Sequence, residues 1–434
     1  MALDVLLIGS GGREHALAWK IAQSPRLGKL YIAPGNGGTR QFGENVNIPA
    51  TAIETLGQFA QEHSIDLTIV GPDDPLALGI TDVFKARGLK VFGPTKMAAQ
   101  VEASKAFAKN LMHEAGVPTA EFAVFTDYKQ ALKYVREKGA PIVIKASGLA
   151  LGKGVYVCTA LTEAEEVLKK VLVDRVHGEA GNQVVIEEFL EGPEISAHAL
   201  SDGKTYKMLP FSQDHKRVGE NETGPNTGGM GTIAPVPWVS VEMTKLVEDA
   251  VVRPALESLS YRETPFAGVL YPGLKITNKG PKVLEFNARW GDPECQVYMR
   301  LLKNDALDLF EACANGKLGQ EKLEWRSGFA ANVVLASEGY PDQYEKGFVI
   351  EGIEEAEKIP GVVVFHAGTA YLDGIVKTSG GRVLGVSAVG ETLKEALKNA
   401  YKAADIIQYK GKFYRKDIGA KSLMNKIGFA GIGV

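Results

Sequence analysis

Residues 3–22, LDVLLIGSGGREHALAWKIA, connect an apolar strand to an amphipathic helix through a glycine-rich turn. Similar apolar runs at residues 30–33, 67–70 and 91–93 also end in loops of glycine and proline. Strands that alternate with helical patterns predict a parallel, doubly wound sheet, which we place at residues 1–102. Because ligands bind at the carboxyl ends of strands in such sheets, these loops predict a ligand site.

The remaining sequence predicts two more domains. Residues 103–327 open with a predicted helix at 102–112 and include a smaller unit at about 117–192, where strands flank one conspicuous glycine loop. The tail, residues 328–434, contains several β-branched runs and one amphipathic helix, which predict a β-rich α+β domain. We therefore expect a three-domain α/β protein.

The composition excludes several classes of protein. The chain has 434 residues, of which 45% are hydrophobic and 23% charged, as in ordinary globular proteins. Its net charge of −3 gives no support for binding to nucleic acid or to an anionic membrane. Three scattered cysteines and an N-terminus without signal-peptide features favour a cytoplasmic protein, which we expect to be a monomer or weak homo-oligomer.

The turn at residues 9–15, GSGGREH, predicts an anion site. Its backbone N–H groups at Gly11 and Gly12 precede a helix, and Arg13 could add a fork of donors. It is a poor dinucleotide fingerprint, because Glu14 stands where the third glycine belongs. The alternative is a merely tight turn without a ligand.

The glycine loop at residues 147–155, SGLALGKGV, lies between two predicted strands, so it is not a Walker A loop. A flap that folds over a triphosphate would use the same glycines, with Lys145 reaching the phosphates as a point charge. The alternative is a plain hairpin connection.

A later predicted strand, VVIEEFL at 184–190, carries two adjacent carboxylates, Glu187 and Glu188. Its backbone could form hydrogen bonds with adenine. Alternatively, the strand is an exposed edge, and the two carboxylates protect it from pairing with other chains.

The segment at residues 282–294, KVLEFNARWGDPE, predicts a metal site on one of two paired strands, the other being at 266–276. Glu285 and Asn287 are two positions apart, so both side chains lie on one face, as a hard cation such as Mg²⁺ requires. Arg289 continues that face and could clamp a carboxylate or acyl phosphate. Structural salt bridges are the alternative for each residue singly.

The segment at residues 212–231, SQDHKRVGENETGPNTGGMG, predicts a long irregular loop. It combines Asp214, His215, Lys216 and Arg217 with a stretch rich in glycine, asparagine and threonine. Long loops inside compact domains are usually functional or disordered. We interpret this one as a binding loop for small, highly polar substrates.

Taken in order, these motifs resemble the ATP-grasp superfamily and, within it, the phosphoribosylamine–glycine ligase family of purine biosynthesis. The resemblance runs almost end to end, and QDHKR followed by GPNTGGMG and GDPE is specific to this family. It implies an ATP-grasp fold with an N-terminal pre-ATP-grasp domain. It also implies a ligase that joins glycine to 5-phosphoribosylamine, with ATP and Mg²⁺ or Mn²⁺ as cofactors.

The resemblance also assigns residues. ATP would contact Lys105, Lys145, Gly152, Lys153, Gly154, Glu187, Glu188, Phe189, Leu190 and Glu194. Glu285 and Asn287 would hold the metal. Phosphoribosylamine would bind at Gly11, Gly12, Arg13, Asn36 and Gly37, and the carboxylate of glycine would lie near Asp214, Lys216, Arg289 and Asp292. Among these, the catalytic residues would be Lys145, Asp214, Lys216 and Arg289.

The chain departs from the family pattern at Asp73, Leu151, Pro272 and Trp290, and none of these departures removes a charge from the predicted metal site. Three other interpretations compete. A nicotinamide oxidoreductase would lack the third glycine and the ribose acid. A non-catalytic nucleotide sensor would not need Glu285, Asn287 and Arg289. A biotin-dependent carboxylase would not need the substrate loop.

Overall fold

The first sheet carries the N-terminal turns. A computed structural model describes residues 2–150 and 154–424 of the chain. Five strands, all parallel, lie in the order Glu44–Asn45, Leu27–Pro34, Leu3–Gly9, Leu67–Val70 and Val91–Phe92. The order reverses between the third and fourth of these strands, which is where doubly wound sheets bind ligands. The predicted parallel, doubly wound sheet is confirmed.

Helices cover both faces of this sheet, which explains its nearly continuous apolar strands. Val5, Leu6, Leu7 and Ile8 of the central strand are completely buried. A strand buried on both faces needs apolar side chains at successive positions rather than at every second one. The helices are Gly12–Ile21, Ile53–Glu62, Asp73–Leu78 and Ile80–Ala86.

The flap subdomain, residues 117–192, is built on an antiparallel sheet. Its strands lie in the order Phe122–Phe125, Val184–Glu188, Ile142–Ala146 and Val155–Cys158. Helices Tyr128–Lys138 and Leu161–Leu168 pack on one face. The glycine loop joins two antiparallel strands, as predicted. Its residues 151–153, which include Gly152, Lys153 and the departure Leu151, lie outside the described part of the chain.

A second antiparallel sheet faces the flap subdomain. It contains Glu194–Ser196, Ala267–Thr277, Ala199–Asp202, Tyr206–Met208 and Gly280–Asn287. The two strands predicted within residues 266–276 and 282–294 pair as expected, with Gly273 opposite Glu285, and the second of them ends at Asn287. The neighbouring helices are Gln100–Ala103, Lys105–Glu114, Val241–Val247, Arg253–Tyr261, Glu294–Leu301 and Ala306–Ala314.

The prediction of one helix at 102–112 is wrong. The chain leaves the helical conformation at Ser104, with φ −137° and ψ 107°, and so forms two helices, Gln100–Ala103 and Lys105–Glu114. The Ser104 hydroxyl accepts a hydrogen bond from the N–H of Phe107 at 3.2 Å, and it therefore caps the second helix. A serine in this role ends one helix and begins the next.

The third sheet includes strands from two of the predicted domains. Its order is Gln213–Asp214, Gly231–Ala234, Phe329–Ser337, Arg382–Gly390 and Val362–His366, and Lys412–Phe413 pairs with the third of these. Gly231–Ala234 and Phe329–Ser337 therefore pair across position 327. Its helices are Ile353–Glu357, Leu393–Ile406 and Ala420–Met424.

Residues 213–231 are more regular than predicted. The strand Gln213–Asp214 opens the segment, and a hairpin of Arg217–Gly219 with Thr223–Asn226 follows it. The prediction of a long irregular loop is therefore wrong for the residues that form these strands. A second hairpin, Thr369–Leu372 with Ile375–Thr378, extends from the third sheet. Across residues 2–150 and 154–424, every helix is too short or too polar to cross a membrane.

Candidate active site

A cleft of about 800 Å³ lies between the flap subdomain and the second sheet. Residues from both sides and from the N-terminal turn line it, and the third sheet also contributes to its wall. Most of the predicted site residues meet here: Arg13, Lys105, Lys145, Gly154, Glu187, Glu188, Phe189, Leu190, Glu194, Asp214, Lys216, Glu285, Asn287, Arg289 and Asp292.

The flap wall of the cleft contains a buried carboxylate between two ammonium groups. Glu187 is 2% exposed, and its two carboxylate oxygens lie 2.9 Å from Lys109 Nζ and 2.9 Å from Lys145 Nζ. Its strand, Val184–Glu188, is an interior strand, so the predicted exposed edge is wrong. Glu188 lies on the opposite face, as alternation predicts, and pairs with Lys282 at 2.6 Å.

Lys109 was not predicted as a site residue. It follows Lys105 by one helical turn on Lys105–Glu114, and this i,i+4 spacing is the signal that could have identified it. Burial lowers the pKa of Lys109 to about 8 and also lowers the pKa of Lys105. Lys105, Lys109 and Lys145 thus bring three positive charges to a wall whose buried carboxylate is Glu187, so this wall is suited to a polyanion.

The opposite wall contains the predicted metal ligands. Glu285 and Asn287 lie on the strand Gly280–Asn287, and Glu285 accepts a hydrogen bond from Lys216 Nζ at 3.1 Å. The charge of Lys216, with those of Lys145 and Lys105, holds the pKa of Glu285 at about 2 despite burial. Glu285 is therefore ionised at neutral pH.

The chemistry of these two side chains fits a divalent cation. Mg²⁺ prefers carboxylate and carbonyl oxygens, and it commonly needs only one or two protein ligands beside phosphates and water. Glu285 and Asn287 supply such oxygens. The described residues contain no cluster of three histidine, cysteine or acidic side chains that could hold a metal. The arrangement suits a cation shared with a bound phosphate rather than a closed protein site.

Arg289 is held by a residue that the sequence did not indicate. Its Nη2 lies 2.7 Å from Glu102 Oε1, and it donates a hydrogen bond to Asn287 Oδ1 at 3.1 Å. Burial raises the pKa of Glu102 to about 7, although the charge of Arg289 opposes this rise. No local pattern connects Glu102 with Arg289, because the contact joins distant parts of the chain.

Asp214, at the start of the segment 213–231, and Glu294, at the start of the helix Glu294–Leu301, lie close enough to Lys216 to interact with it or with each other. Burial and the neighbouring charge of Glu294 raise the pKa of Asp214 well above its ordinary value. Burial alone would lower the pKa of Lys216, but the charges of Glu285 and Glu194 raise it above its ordinary value. This end of the cleft therefore offers a fixed cation beside carboxyl groups, which is suited to a zwitterion.

The N-terminal turn adjoins the cleft through Arg13. The guanidinium of Arg13 donates to the Trp290 carbonyl at 3.1 Å and contacts Glu14 at 2.5 Å. The N–H of Gly11 donates to the Glu14 carboxylate at 2.6 Å. The Glu14 carboxylate therefore accepts a hydrogen bond from one of the N–H groups that were predicted to bind an anion.

Four predicted residues lie beside the cleft rather than in its lining: Gly11, Gly12, Asn36 and Gly37. A Cβ placed on Gly11 would lie 3.2 Å from Asp292 Oδ2, so this turn borders the cleft. The Asn36 side chain donates to the carbonyl of His366 at 2.9 Å, and the Gly37 N–H donates to the carbonyl of Thr369 at 3.0 Å. The third sheet and its hairpin therefore close this side of the turn.

Two of the departures from the family pattern lie close to the site. Asp73 lines the cleft at the start of the helix Asp73–Leu78. Trp290 is 3% exposed and stacks on His198 with ring centroids 6.5 Å apart, and its indole N–H has no hydrogen-bond partner among the described residues. Neither departure removes a charged group from the two walls of the cleft.

Comparison with known proteins agrees with this architecture. The N, ATP-grasp (A) and C domain models of phosphoribosylglycinamide synthetase match residues 3–102, 103–295 and 330–421. The chain is 49% identical to phosphoribosylamine–glycine ligase of Pasteurella multocida over 97% of this chain and 98% of that protein.

One similar solved structure belongs to the same family, and another shares only the fold. The crystal structure of phosphoribosylamine–glycine ligase from Thermotoga maritima superposes with a TM-score of 0.83 and 36% identity, over 96% of this chain and 100% of that chain. The biotin carboxylase domain of a Hydrogenobacter thermophilus 2-oxoglutarate carboxylase shares the fold, with a TM-score of 0.74, 18% identity, and coverage of 95% and 92%. The expected fold class is confirmed, and the chain belongs to the phosphoribosylglycinamide synthetase family, with its N, ATP-grasp and C domains.

Proposed function

We propose that this chain is an ATP-dependent ligase that joins glycine to 5-phosphoribosylamine in purine biosynthesis. The products are glycinamide ribonucleotide, ADP and phosphate, and the intermediate is glycyl phosphate. The observation that carries the proposal is the cleft itself, where Lys105, Lys145 and Lys216 surround the ionised Glu285 in a chain of this family.

ATP would lie between the flap subdomain and the second sheet. Phe189 and Leu190 line the cleft beside the end of the strand Val184–Glu188, where an adenine could contact backbone and apolar side chains. Glu194, which pairs with Lys275 at 3.0 Å and lines the cleft, would accept hydrogen bonds from ribose. Lys105, Lys145 and the backbone at Gly154, with Gly152 and Lys153 of the same loop, would contact the phosphates.

Glu285 and Asn287 would hold Mg²⁺ or Mn²⁺ when the nucleotide is bound. The cation supplies neutralisation of charge on the phosphate oxygens. The low pKa of Glu285 keeps this ligand ionised without a change of pH. Lys216 contacts the same carboxylate, so cation binding and the position of Lys216 are coupled.

The substrates would occupy the end of the cleft near the N-terminal sheet. Phosphoribosylamine would lie against Gly11, Gly12, Arg13, Asn36 and Gly37. Lys216 and Arg289 are suited to the carboxylate of glycine, since both are fixed cations beside the ATP site. The carboxyl groups of Asp214 and Asp292 are suited to its ammonium group.

The reaction needs activation because oxide is a very poor leaving group. A carboxylate oxygen of glycine attacks the γ-phosphorus of ATP, the bond from that phosphorus to the β-γ bridging oxygen breaks, and ADP leaves. Lys145, Lys216 and Arg289 hold the reacting groups together and stabilise their charge. The amine of phosphoribosylamine then attacks the glycyl carbonyl carbon and a C–N bond forms. The bond from that carbon to the phosphate oxygen breaks, and phosphate leaves with its electron pair and with the proton lost by the amine.

Omission assays test this function. We expect ADP release to require ATP, glycine and freshly made phosphoribosylamine together with Mg²⁺, and to stop when either substrate is omitted. Glycine labelled with ¹⁸O in its carboxylate should transfer one labelled oxygen to inorganic phosphate. Release of ADP without transfer of the label would contradict the acyl phosphate route.

The setting of the enzyme is also part of the proposal. We propose a cytoplasmic monomer or weak homo-oligomer that acts on small molecules. The three cysteines, Cys158, Cys295 and Cys313, are buried and free, which supports a reducing compartment. Equilibrium sedimentation of the purified chain would test the oligomeric state.

A further inference from the structure

The strands of the third sheet from residue 329 onwards, called here the C-terminal sheet, contribute one side chain to the substrate end of the cleft. Arg382 begins the strand Arg382–Gly390, and it lines the cleft together with Asp214 and Asp292. The other cationic groups discussed at the site come from earlier parts of the chain, the latest of them being Arg289. Arg382 lies within the sequence motif GGRVL, residues 380–384, to which the proposed reaction assigns no role.

Arg382 binds two separate segments at once. Its Nη1 donates to the backbone carbonyls of Asp292 at 2.7 Å and Gly228 at 2.5 Å. Its Nη2 lies 3.2 Å from Asp292 Oδ2. The planar guanidinium thus fixes the backbone and side chain of Asp292 relative to the turn at Gly228, which a single ammonium group could not do.

The surrounding packing leaves this arrangement little freedom. A Cβ on Gly228 would lie 2.9 Å from Arg382 Cζ, and a Cβ on Gly229 would lie 2.6 Å from Asp214 Oδ1. Gly229 also has φ +109°, a conformation that favours glycine. The turn therefore presses closely between Arg382 and Asp214.

The Asp292 carboxylate is held from its other side by Gln296. Gln296 Nε2 donates to Asp292 Oδ1 at 2.8 Å, while Arg382 approaches Oδ2. The two oxygens of Asp292 therefore have different partners, and the carboxylate has one defined orientation. Without Arg382, Oδ2 would lose its charged partner and Gly228 would lose a backbone contact.

We propose that Arg382 is a positioning residue for glycine binding. It holds Asp292 and the Gly228–Gly229 turn in the arrangement that receives the amino acid, and so it couples the C-terminal sheet to the substrate end of the cleft. This inference rests on the proposed function, because it assumes that glycine binds at Asp214 and Asp292. The groups proposed to bind the adenine, ribose and phosphates of ATP are not among the contacts of Arg382, so the affinity for ATP should not depend on Arg382.

The test compares substitutions at Arg382 in the full-length chain. We expect Arg382→Ala to raise the KM for glycine by about 10- to 100-fold, the effect of losing a charged hydrogen-bond partner, with little change in the KM for ATP. Arg382→Lys keeps the charge but loses the fork, so it should restore only part of the glycine affinity. Added guanidinium ion should lower the glycine KM of Arg382→Ala.

Arg300 provides a matched control. It also joins the second sheet's domain to the C-terminal sheet, since its Nη2 donates to the Gly361 carbonyl at 2.5 Å, but it does not line the cleft. We expect Arg300→Lys to lower the melting temperature without changing the glycine KM. If Arg382→Ala does not fold, Arg382→Lys supplies the measurement.

Two results would overturn the inference. One is an equal change in the KM values for glycine and ATP at Arg382. The other is a loss of activity that follows only the loss of folded protein, as expected for Arg300→Lys. A wild-type chain that never releases ADP with both substrates would instead contradict the proposed function.

Discussion

Glu285 carries the sharpest prediction at the scale of single residues. Glu285→Gln keeps the shape of the side chain but removes the charge that faces Lys216, Lys145 and Lys105. We expect ADP release to fall by at least about 1,000-fold, because the proposed metal ligand and the partner of Lys216 are lost together. The fold should persist, as measured by circular dichroism and the melting temperature.

Glu121→Gln is the control for this substitution. Glu121 is an exposed carboxylate that pairs with Lys138 on the flap subdomain, away from the cleft lining. Its removal should leave turnover within about twofold, since exposed ion pairs contribute little. Near-normal turnover of Glu285→Gln would refute the assignment of Glu285 as a metal ligand.

The arrangement of site residues could be predicted from the sequence where it depends on a local pattern. The alternation rule placed Glu285 and Asn287 on one face, and it correctly separated Glu187 from Glu188. It could not tell which of these glutamates is buried, because burial of Glu187 depends on Lys109 from another element. Charge partners that come from distant elements leave no local signal.

At the scale of elements, the break at Ser104 matters most. The apolar spacing of residues 102–112 continues across the break, so periodicity alone predicted one helix. Because of the break, Lys105 is the first residue of the second helix. In this position its Nζ donates to the Gly148 carbonyl at 3.1 Å. A capping serine inside an apolar pattern is the signal that periodicity overlooks.

Ser104→Ala tests this element. We expect a loss of about 1 kcal/mol in the free energy of unfolding, because the cap at Phe107 is removed. The KM for ATP should also rise, since Lys105 and the Ser147 backbone next to it lose their fixed position. Urea denaturation and initial-rate kinetics would measure the two effects.

Ser240→Ala is the matched control. Ser240 caps the helix Val241–Val247 through the N–H of Met243 at 3.2 Å, the same distance as in the Ser104 cap. It should lower stability by a similar amount and leave the KM for ATP unchanged. An unchanged KM for ATP in Ser104→Ala would show that the break between the two helices does not affect nucleotide binding, contrary to this prediction.

At the scale of the whole molecule, a buried pair of histidines joins the first and third sheets. His15 and His366 have ring centroids 5.1 Å apart, and they are 1% and 5% exposed. Burial lowers the pKa of His366 to about 4, and burial with the charge of His366 lowers the pKa of His15 as well. Both rings are neutral in the folded chain at pH 7.

This pair predicts a loss of stability in acid. Unfolded histidines have pKa values of about 6.5, so between pH 7 and pH 5 the unfolded chain binds more protons than the folded chain. The free energy of unfolding should therefore fall as the pH falls, by about 2 kcal/mol for His366, and the lowered pKa of His15 acts in the same direction. Urea denaturation at the two pH values measures this fall.

In His366→Gln, the decrease in the free energy of unfolding between pH 7 and pH 5 should be smaller than in the wild-type chain by about 2 kcal/mol. His63→Gln is the control, because His63 is exposed on the first sheet's domain and stacks on Phe59. An equal dependence on pH in His366→Gln and the wild-type chain would contradict the role of this contact.

The overall architecture was largely predictable, and the joins between its parts were not. Strand–helix alternation predicted the first sheet, and the paired strands of the second sheet followed from apolar runs and polar ends. The pairing of Gly231–Ala234 with Phe329–Ser337 was not visible, since each strand alone only requires some partner. Arg382 was not predicted as a site residue for the same reason, because the residues that it contacts, Gly228 and Asp292, lie in a different part of the sequence.

That shared third sheet has a consequence for how the protein is made. A nascent chain leaves the ribosome from its N-terminus, so Gly231–Ala234 emerges well before Phe329–Ser337, beside which it must pair. Until then its backbone donors and acceptors lack their native partners on that side. The substrate end of the cleft can therefore reach its native arrangement only after residues 329–337 have emerged, well after the flap subdomain at residues 117–192 has been synthesised.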